Sequence, residues 1–212
     1  MTLLLHNYWR SGTSYRVRIA LAYKGVPFRQ ATLDLRKGEQ RRDDYLTLNP
    51  QGLVPCLEAD GFVLTQSPAI LEWLEEEYPD PPLLPRNAAD RAIVRAMAAI
   101  VACDIHPVNN LRILNALRGD FQATEDQVRE WIRRRIIDGF AALERLIAAH
   151  GAGFAFGDEP TFADCHLVPQ VYGAERFNVD LAPFPKLMAA TERARTLPAF
   201  IAAHPDRQPD AS

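Results

Sequence analysis

Two helix starts, one proline-marked strand end and one interrupted helix hold the residues of this sequence that could do chemistry. Arg10-Ser11-Gly12-Thr13-Ser14 opens the first helical pattern. Hydroxyls and backbone amides at a helix N-terminus can stabilise an anion, a thiolate included. Capping is their plainer use: Ser14 is read as the capping hydroxyl, while Ser11 and Thr13 stay between capping and function. Gln66-Ser67, just ahead of Pro68, is the second start, suited to a carboxylate or simply capped by Ser67. Val54-Pro55 precedes a predicted strand, which requires a cis bond, an edge position or a plain junction. A cis bond there would leave the Val54 backbone to pair with an extended, peptide-like ligand. His106-Pro-Val-Asn109-Asn110 interrupts an apolar helix. His106 and Asn110, four residues apart, are read as sharing one face, lining a cleft or satisfied in the core. Arg176, after a helix predicted over 161–175, is either a solvated helix end or a grip for a carboxylate.

Other chemistries find little support. The 5 histidines are scattered without an H-x-x-x-H pair, so no metal is expected. Phosphate-binding glycine loops and a nucleophile elbow do not occur. The net charge of −3 gives no electrostatic reason to expect nucleic acid. No run approaches the roughly 20 consecutive apolar residues of a membrane span. The opening Thr2-Leu-Leu-Leu-His6 lacks the features of a secretory signal. Three well-separated cysteines, Cys56, Cys103 and Cys165, without C-x-x-C fit a reduced cytosolic protein with buried thiols. Arginine outnumbers lysine 21 to 3, a bias of composition that also supplies bidentate partners for carboxylates.

Positioning these residues requires two kinds of domain. Leu3–Leu5 reads as a buried strand ending at Asn7, and a helix follows up to Gly25. Phe28–Leu35 reads as a second strand, and Asp60-Gly61 joins strands at 53–57 and 62–64 in a hairpin. The helix after Gln66 packs Ile70, Leu71, Trp73 and Leu74, with Glu75-Glu76-Glu77 as its solvated end. The stretch from Pro79 to Pro85 holds four prolines in seven residues and reads as a linker. Beyond it the pattern is helical. Ile93, Met97, Ile100 and Val101 share a face, as do Val128, Ile132, Ile136, Phe140, Leu143 and Ile147. Thr161-Phe-Ala-Asp164 reads as a capping box, prolines 183, 185 and 198 bracket one last short helix, and the tail from Pro205 is loose. The domain limits are 1–80, a linker over 81–87, and 88–212.

In this order the motifs resemble those of the cytosolic glutathione transferases, from about Leu3 to Pro205. Leu48-Asn-Pro-Gln-Gly-Leu-Val-Pro55, Leu64-Thr-Gln-Ser-Pro-Ala-Ile70 and Thr161-Phe-Ala-Asp164 are similar to landmarks of that superfamily. The stretches Trp9–Leu21, Asp104–Leu114, Val168–Tyr172 and Arg176–Asp180 resemble the zeta class, whose members isomerise maleylacetoacetate or maleylpyruvate. The fold implied is an α/β thioredoxin-like N-terminal domain plus an all-α C-terminal domain. Zeta enzymes often carry Ser-Ser-Cys-Ser where this chain has Ser11-Gly12-Thr13-Ser14, so Thr13 takes the cysteine position and the reacting sulfur is that of glutathione.

The resemblance implies that Gln66 and Ser67 hold the γ-glutamyl end of glutathione. The Val54 backbone pairs with its cysteinyl part beside a cis Pro55, and Gln40 reaches the tripeptide. Asp104 approaches it from the facing subunit of a homodimer, and His106 and Asn110 line the site. Ser11 and Thr13 lie beside the sulfur. Arg10 and Arg176, with Arg112 third, grip the carboxylates of a small dicarboxylate substrate, and Asn109 also touches it. Reversible thiolate addition makes the C=C bond single, so that it can rotate, and cationic donors stabilise the developing oxyanion. A general transferase conjugating small electrophiles and a non-catalytic glutathione-binding or scaffold protein are the alternative readings.

Overall fold

The computed structural model describes residues 2–211; Met1 and Ser212, the outer limits of the domains read from sequence, lie outside them. The chain forms two compact units, one running up to Leu83 and resuming at Thr196, the other Leu84–Arg195.

The first unit holds a four-stranded sheet in the order β2-β1-β3-β4. Strand β1 (Leu3–Asn7) is parallel to β2 (Phe28–Thr32) and antiparallel to β3 (Cys56–Ala59), which pairs with β4 (Phe62–Thr65). Alternation explains the burial of β1: Leu3, Leu5 and Asn7 point inward, while Leu4 and His6 are half-buried. The predicted second strand is too long. The ladder to β1 ends at Asn7↔Thr32, and Asp34 then caps a 3₁₀ turn over Leu35–Lys37. The strand predicted from residue 53 begins only at Cys56, after Pro55. Asp60 (φ 34°) and Gly61 (φ 97°) supply the two left-handed residues of the hairpin turn.

Helix α1 (Gly12–Tyr23) is buried almost all round, Arg16 and Arg18 included, while α2 (Asp43–Leu48) follows the 3₁₀ turns. Helix α3 (Ser67–Glu77) buries Ile70, Leu71 and Leu74 as predicted. Its end is not solvated throughout. Glu75 is buried against Lys24 (N···O 2.8 Å) and also accepts the Leu83 N–H at 2.9 Å. The buried Lys24 ammonium, placed at the end of α1, needs that counter-charge.

The second unit is helical throughout. Helix α4 (Ala88–Ala99) runs into a π-helical turn (Ile100–Ile105) and a 3₁₀ turn (Pro107–Asn109) before α5 (Leu111–Gly119) begins. Val94, Met97 and Val101 are buried, whereas Ile93 and Ile100 are only half-buried. The run Ala88–Gly119 has the length and hydropathy of a membrane span. However, Asn110 within it is extended, and Asp104 and Arg112 there are costly in hydrocarbon. Helix α6 (Glu125–His150) buries all six predicted positions from Val128 to Ile147. A Cβ on its Gly139 would come 2.3 Å from Ile105 Cδ1, so glycine is what admits the π turn this closely. Helix α7 (Phe162–Arg176) starts with a complete Thr161/Asp164 capping box. The helix predicted between prolines 185 and 198 forms as α8 (Pro185–Arg195), and a further helix the sequence reading missed, α9 (Pro198–Ala203), starts at the closing proline.

Helix α9 and the described residues after it fall in the first compact unit, although the sequence limits group them with 88–212. Arg18 Nε on α1 donates to the Ala203 carbonyl at 3.1 Å, giving a buried cation one of its acceptors. Nor is the tail loose: Gln208 is buried, and its amide donates to the carbonyls of Ala202 (3.0 Å) and His204 (2.8 Å).

Candidate functional site

The start of α1 and the Val54-Pro55 junction are tied by hydroxyls. Ser11, not Ser14, is the cap: its Oγ accepts the Ser14 N–H at 3.2 Å, while Ser14 itself is buried in the first turn. Thr13 Oγ1 donates to the Val54 carbonyl at 2.9 Å and lies 2.9 Å from Ser11 Oγ. A hydroxyl has one proton. Thr13 spends its own on Val54, so in the Ser11–Thr13 pair Ser11 is the donor. The Val54-Pro55 bond is cis.

At α3, Gln66 holds a left-handed backbone (φ 69°), and its exposed amide donates to Gln51 Oε1 at 2.6 Å. Ser67 is buried and accepts from Arg16 Nη1 at 3.3 Å, which turns its proton toward a further acceptor. Gln40 Oε1 is buried and meets no hydrogen-bond partner among the described residues. The loop facing Gln40 depends on Gly52: its φ is +60°, and a Cβ there would come 2.8 Å from the Gln40 carbonyl oxygen. Tyr45 Oη (2.6 Å) and Asn49 Nδ2 (2.7 Å) both donate to the Leu53 carbonyl and hold that loop in place.

In the second unit, His106 and Asn110 do not share a helical face. Pro107 starts a 3₁₀ turn between them, and Asn110 is extended (φ −65°, ψ 150°), capping α5 by accepting the Arg112 N–H at 3.2 Å. Trp131 Nε1 donates to the Val108 carbonyl at 3.0 Å and fixes this break. Both polar atoms of the Asn109 amide are buried without a partner among the described residues. Arg112 is exposed in the first turn of α5, and Asp104 is exposed in the π turn. Arg176 ends α7, its guanidinium 5.8 Å from the ring centres of both Tyr172 and Phe177. Arg10 stands 5.4 Å from the ring centre of Trp9.

Charge at the helix starts separates the helices into two groups. Helices α2, α4, α6 and α7 carry Asp or Glu in their first turn, and α8 is served by Glu144, which accepts the N–H groups of Lys186 and Leu187. Helices α1, α3 and α5 carry none, nor does the short α9; the starts of the first three hold Ser11 and Thr13, Gln66 and Ser67, and Asn110 and Arg112. An Arg in the first turn of α5 opposes the helix dipole. These three starts therefore keep their positive ends available to anions. Of the chain's own thiols, Cys103 is exposed, against the expectation of buried cysteines, and the other two are enclosed. Cys56 and Cys165 are buried, and burial, then the charge of Glu58, pushes the Cys56 thiol up to about 11.

A hydroxyl-bearing helix start against a cis-proline junction, on a mixed sheet followed by an all-helical unit, defines the thioredoxin-like transferase class. The chain belongs to the glutathione S-transferase family: residues 10–77 match its N-terminal domain and residues 112–195 its C-terminal domain. It is 52% identical over 210 residues to maleylpyruvate isomerase of Ralstonia sp., covering 98% of this chain and 99% of that protein. A holo structure of maleyl pyruvate isomerase, a bacterial zeta-class glutathione S-transferase, superposes with TM-score 0.97 at 52% identity, covering 99% of this chain and 100% of the other. Maleylacetoacetate isomerase of Anaeromyxobacter dehalogenans, solved with glutathione in its active site, superposes with TM-score 0.90 at 46% identity, covering 100% of this chain and 98% of that one.

Proposed function

We propose that this chain catalyses the glutathione-dependent cis–trans isomerisation of maleylpyruvate or maleylacetoacetate to the fumaryl product. The observation that carries this reading is the acid-free start of α1, α3 and α5, because glutathione and the dicarboxylate substrate each bring two carboxylates. The names of the similar isomerases support it. The residues present fit glutathione: the orphaned Gln40 Oε1 is an acceptor for a peptide N–H, and Ser67 has a proton for a carboxylate. When bound, glutathione supplies a thiol that adds reversibly to the conjugated double bond and so lets that bond turn.

In this reading Gln66 and Ser67 hold the γ-glutamyl end, and Val54 and Gln40 hold the rest of the tripeptide. Ser11 turns its proton from Thr13 to the sulfur, which costs little because Thr13 keeps its own bond to Val54. Arg10, Arg176 and Arg112 bind substrate carboxylates, with Asn109 supplying amide contacts. His106 and Asn110 support the glutathione site, and Asp104 reaches it across a homodimer. The three free cysteines support a reducing, cytoplasmic setting. The test is to incubate the purified chain with each cis substrate, with and without glutathione, and follow product absorbance. Glutathione-dependent conversion of at least one is expected; conversion of neither contradicts the reading.

A further inference from the structure

The loop from Tyr8 to Ser11 carries Arg10 and delivers Ser11 to the start of α1, and its backbone polar groups are held from two sides. From within, Ser11 N–H donates to the Tyr8 carbonyl at 3.0 Å. Arg18 Nη1 also donates to that carbonyl (3.4 Å) and to Asn7 Oδ1 (2.9 Å), while its Nη2 donates to the Trp9 carbonyl at 2.8 Å. From the far end of the chain, Asp210 Oδ2 accepts the Trp9 N–H at 2.9 Å. Ala211 packs against the cluster of Tyr8, Trp9, Tyr45, Val54 and Cys56. Gln208 anchors the same segment to β2, its Oε1 accepting from Gln30 Nε2 at 3.2 Å.

We propose that Asp210 is a positioning residue for catalysis: its carboxylate clamps the Trp9 amide and thereby fixes Arg10 and Ser11. Two hundred and one residues separate Trp9 from Asp210, so the segment after Pro205 is part of the support of the reactive loop. Arg18 reinforces the clamp by holding the carbonyls on either side of that amide, and its Nε ties the same guanidinium to Ala203 on α9. The Trp9 side chain links the clamp to Arg10, whose guanidinium stands over its ring. A loosened loop would leave glutathione bound mainly by Val54, Gln66 and Ser67 but would misplace the groups that act on the reacting atoms. Loss should therefore fall on kcat rather than on the KM for glutathione.

The turnover arm of the test rests on the isomerase reading; the exchange arm does not. In the full chain, hydrogen exchange at the Trp9 amide is followed by NMR together with isomerase kinetics. The wild-type amide should be protected. Asp210→Ala should speed its exchange and lower kcat roughly tenfold, at temperatures well below unfolding. Asp210→Asn, whose amide oxygen still accepts from Trp9, should restore both, and Asp206→Ala, exposed in the same segment, should change neither. An unprotected Trp9 amide in the wild-type chain overturns the proposal whether or not Asp210→Ala folds. So does wild-type kcat in Asp210→Ala, or a loss that Asp210→Asn does not reverse. Absence of any isomerisation by the wild-type chain contradicts the functional reading instead and leaves the exchange result standing.

Discussion

Ser11 and Thr13 are hydroxyls 2.9 Å apart, and they differ in where their single protons go. Thr13 is committed to Val54, while Ser11 gives its proton to an oxygen that is already a donor elsewhere. In the proposed function Ser11 is therefore the hydroxyl whose removal takes a hydrogen bond from the thiolate. Ser11→Ala is expected to lower kcat by roughly 10²–10³ and to raise the pKa of the bound glutathione thiol. Thr13→Val should leave that pKa near the wild-type value but weaken glutathione binding, because the Val54 carbonyl loses its partner; Thr13→Ser should recover binding. Titrating the ultraviolet absorbance of the bound thiolate checks this, and equal pKa rises in both variants would contradict the assignment. The sequence shows the two hydroxyls but not these bonds, since proton direction depends on Val54, 41 residues away.

Among the elements, those whose signals are local are the legible ones. The Val128–Ile147 stripe of α6 and the Thr161/Asp164 capping box of α7 are written within one or two turns, and both form as predicted. The reading of His106 and Asn110 as one face fails because Pro107 and the cap at Asn110 break the helix between them. Glu75 misleads in the same way, because its buried partner Lys24 lies on another helix. The capping box also makes a prediction in pH. Asp164 is fully enclosed and accepts from the Ala155 N–H, the Thr161 N–H and the Thr161 hydroxyl. Burial outweighs these donors and pushes its carboxyl up to about 6. The folded chain thus holds this proton more tightly than the unfolded chain does. The contribution is present in full below about pH 4 and is lost as pH rises through about 6. Relative to Asp164→Asn, wild-type stability should fall by roughly 2 kcal/mol between pH 4 and 7 and stay flat above. Urea unfolding of both chains across that range measures it; a difference that rises with pH would contradict the sign.

At the scale of the molecule, the net charge of −3 says little about an anionic ligand, because the anion sites proposed for it are local: the starts of α1, α3 and α5 and a few arginines. The order of motifs makes the two kinds of domain legible. What it hides is the return of the chain after Thr196 to the first unit, since no local pattern marks a partner nearly two hundred residues away. The central claim is that the reactive thiol is borrowed from glutathione and given back. Its most direct measurement follows the cis substrate by proton NMR with the chain alone, with glutathione and with S-methylglutathione, which has no free thiol. Conversion to the trans product is expected with glutathione only, and glutathione is recovered unchanged at the end. Equal conversion with S-methylglutathione, or consumption of glutathione in step with the substrate, would contradict it.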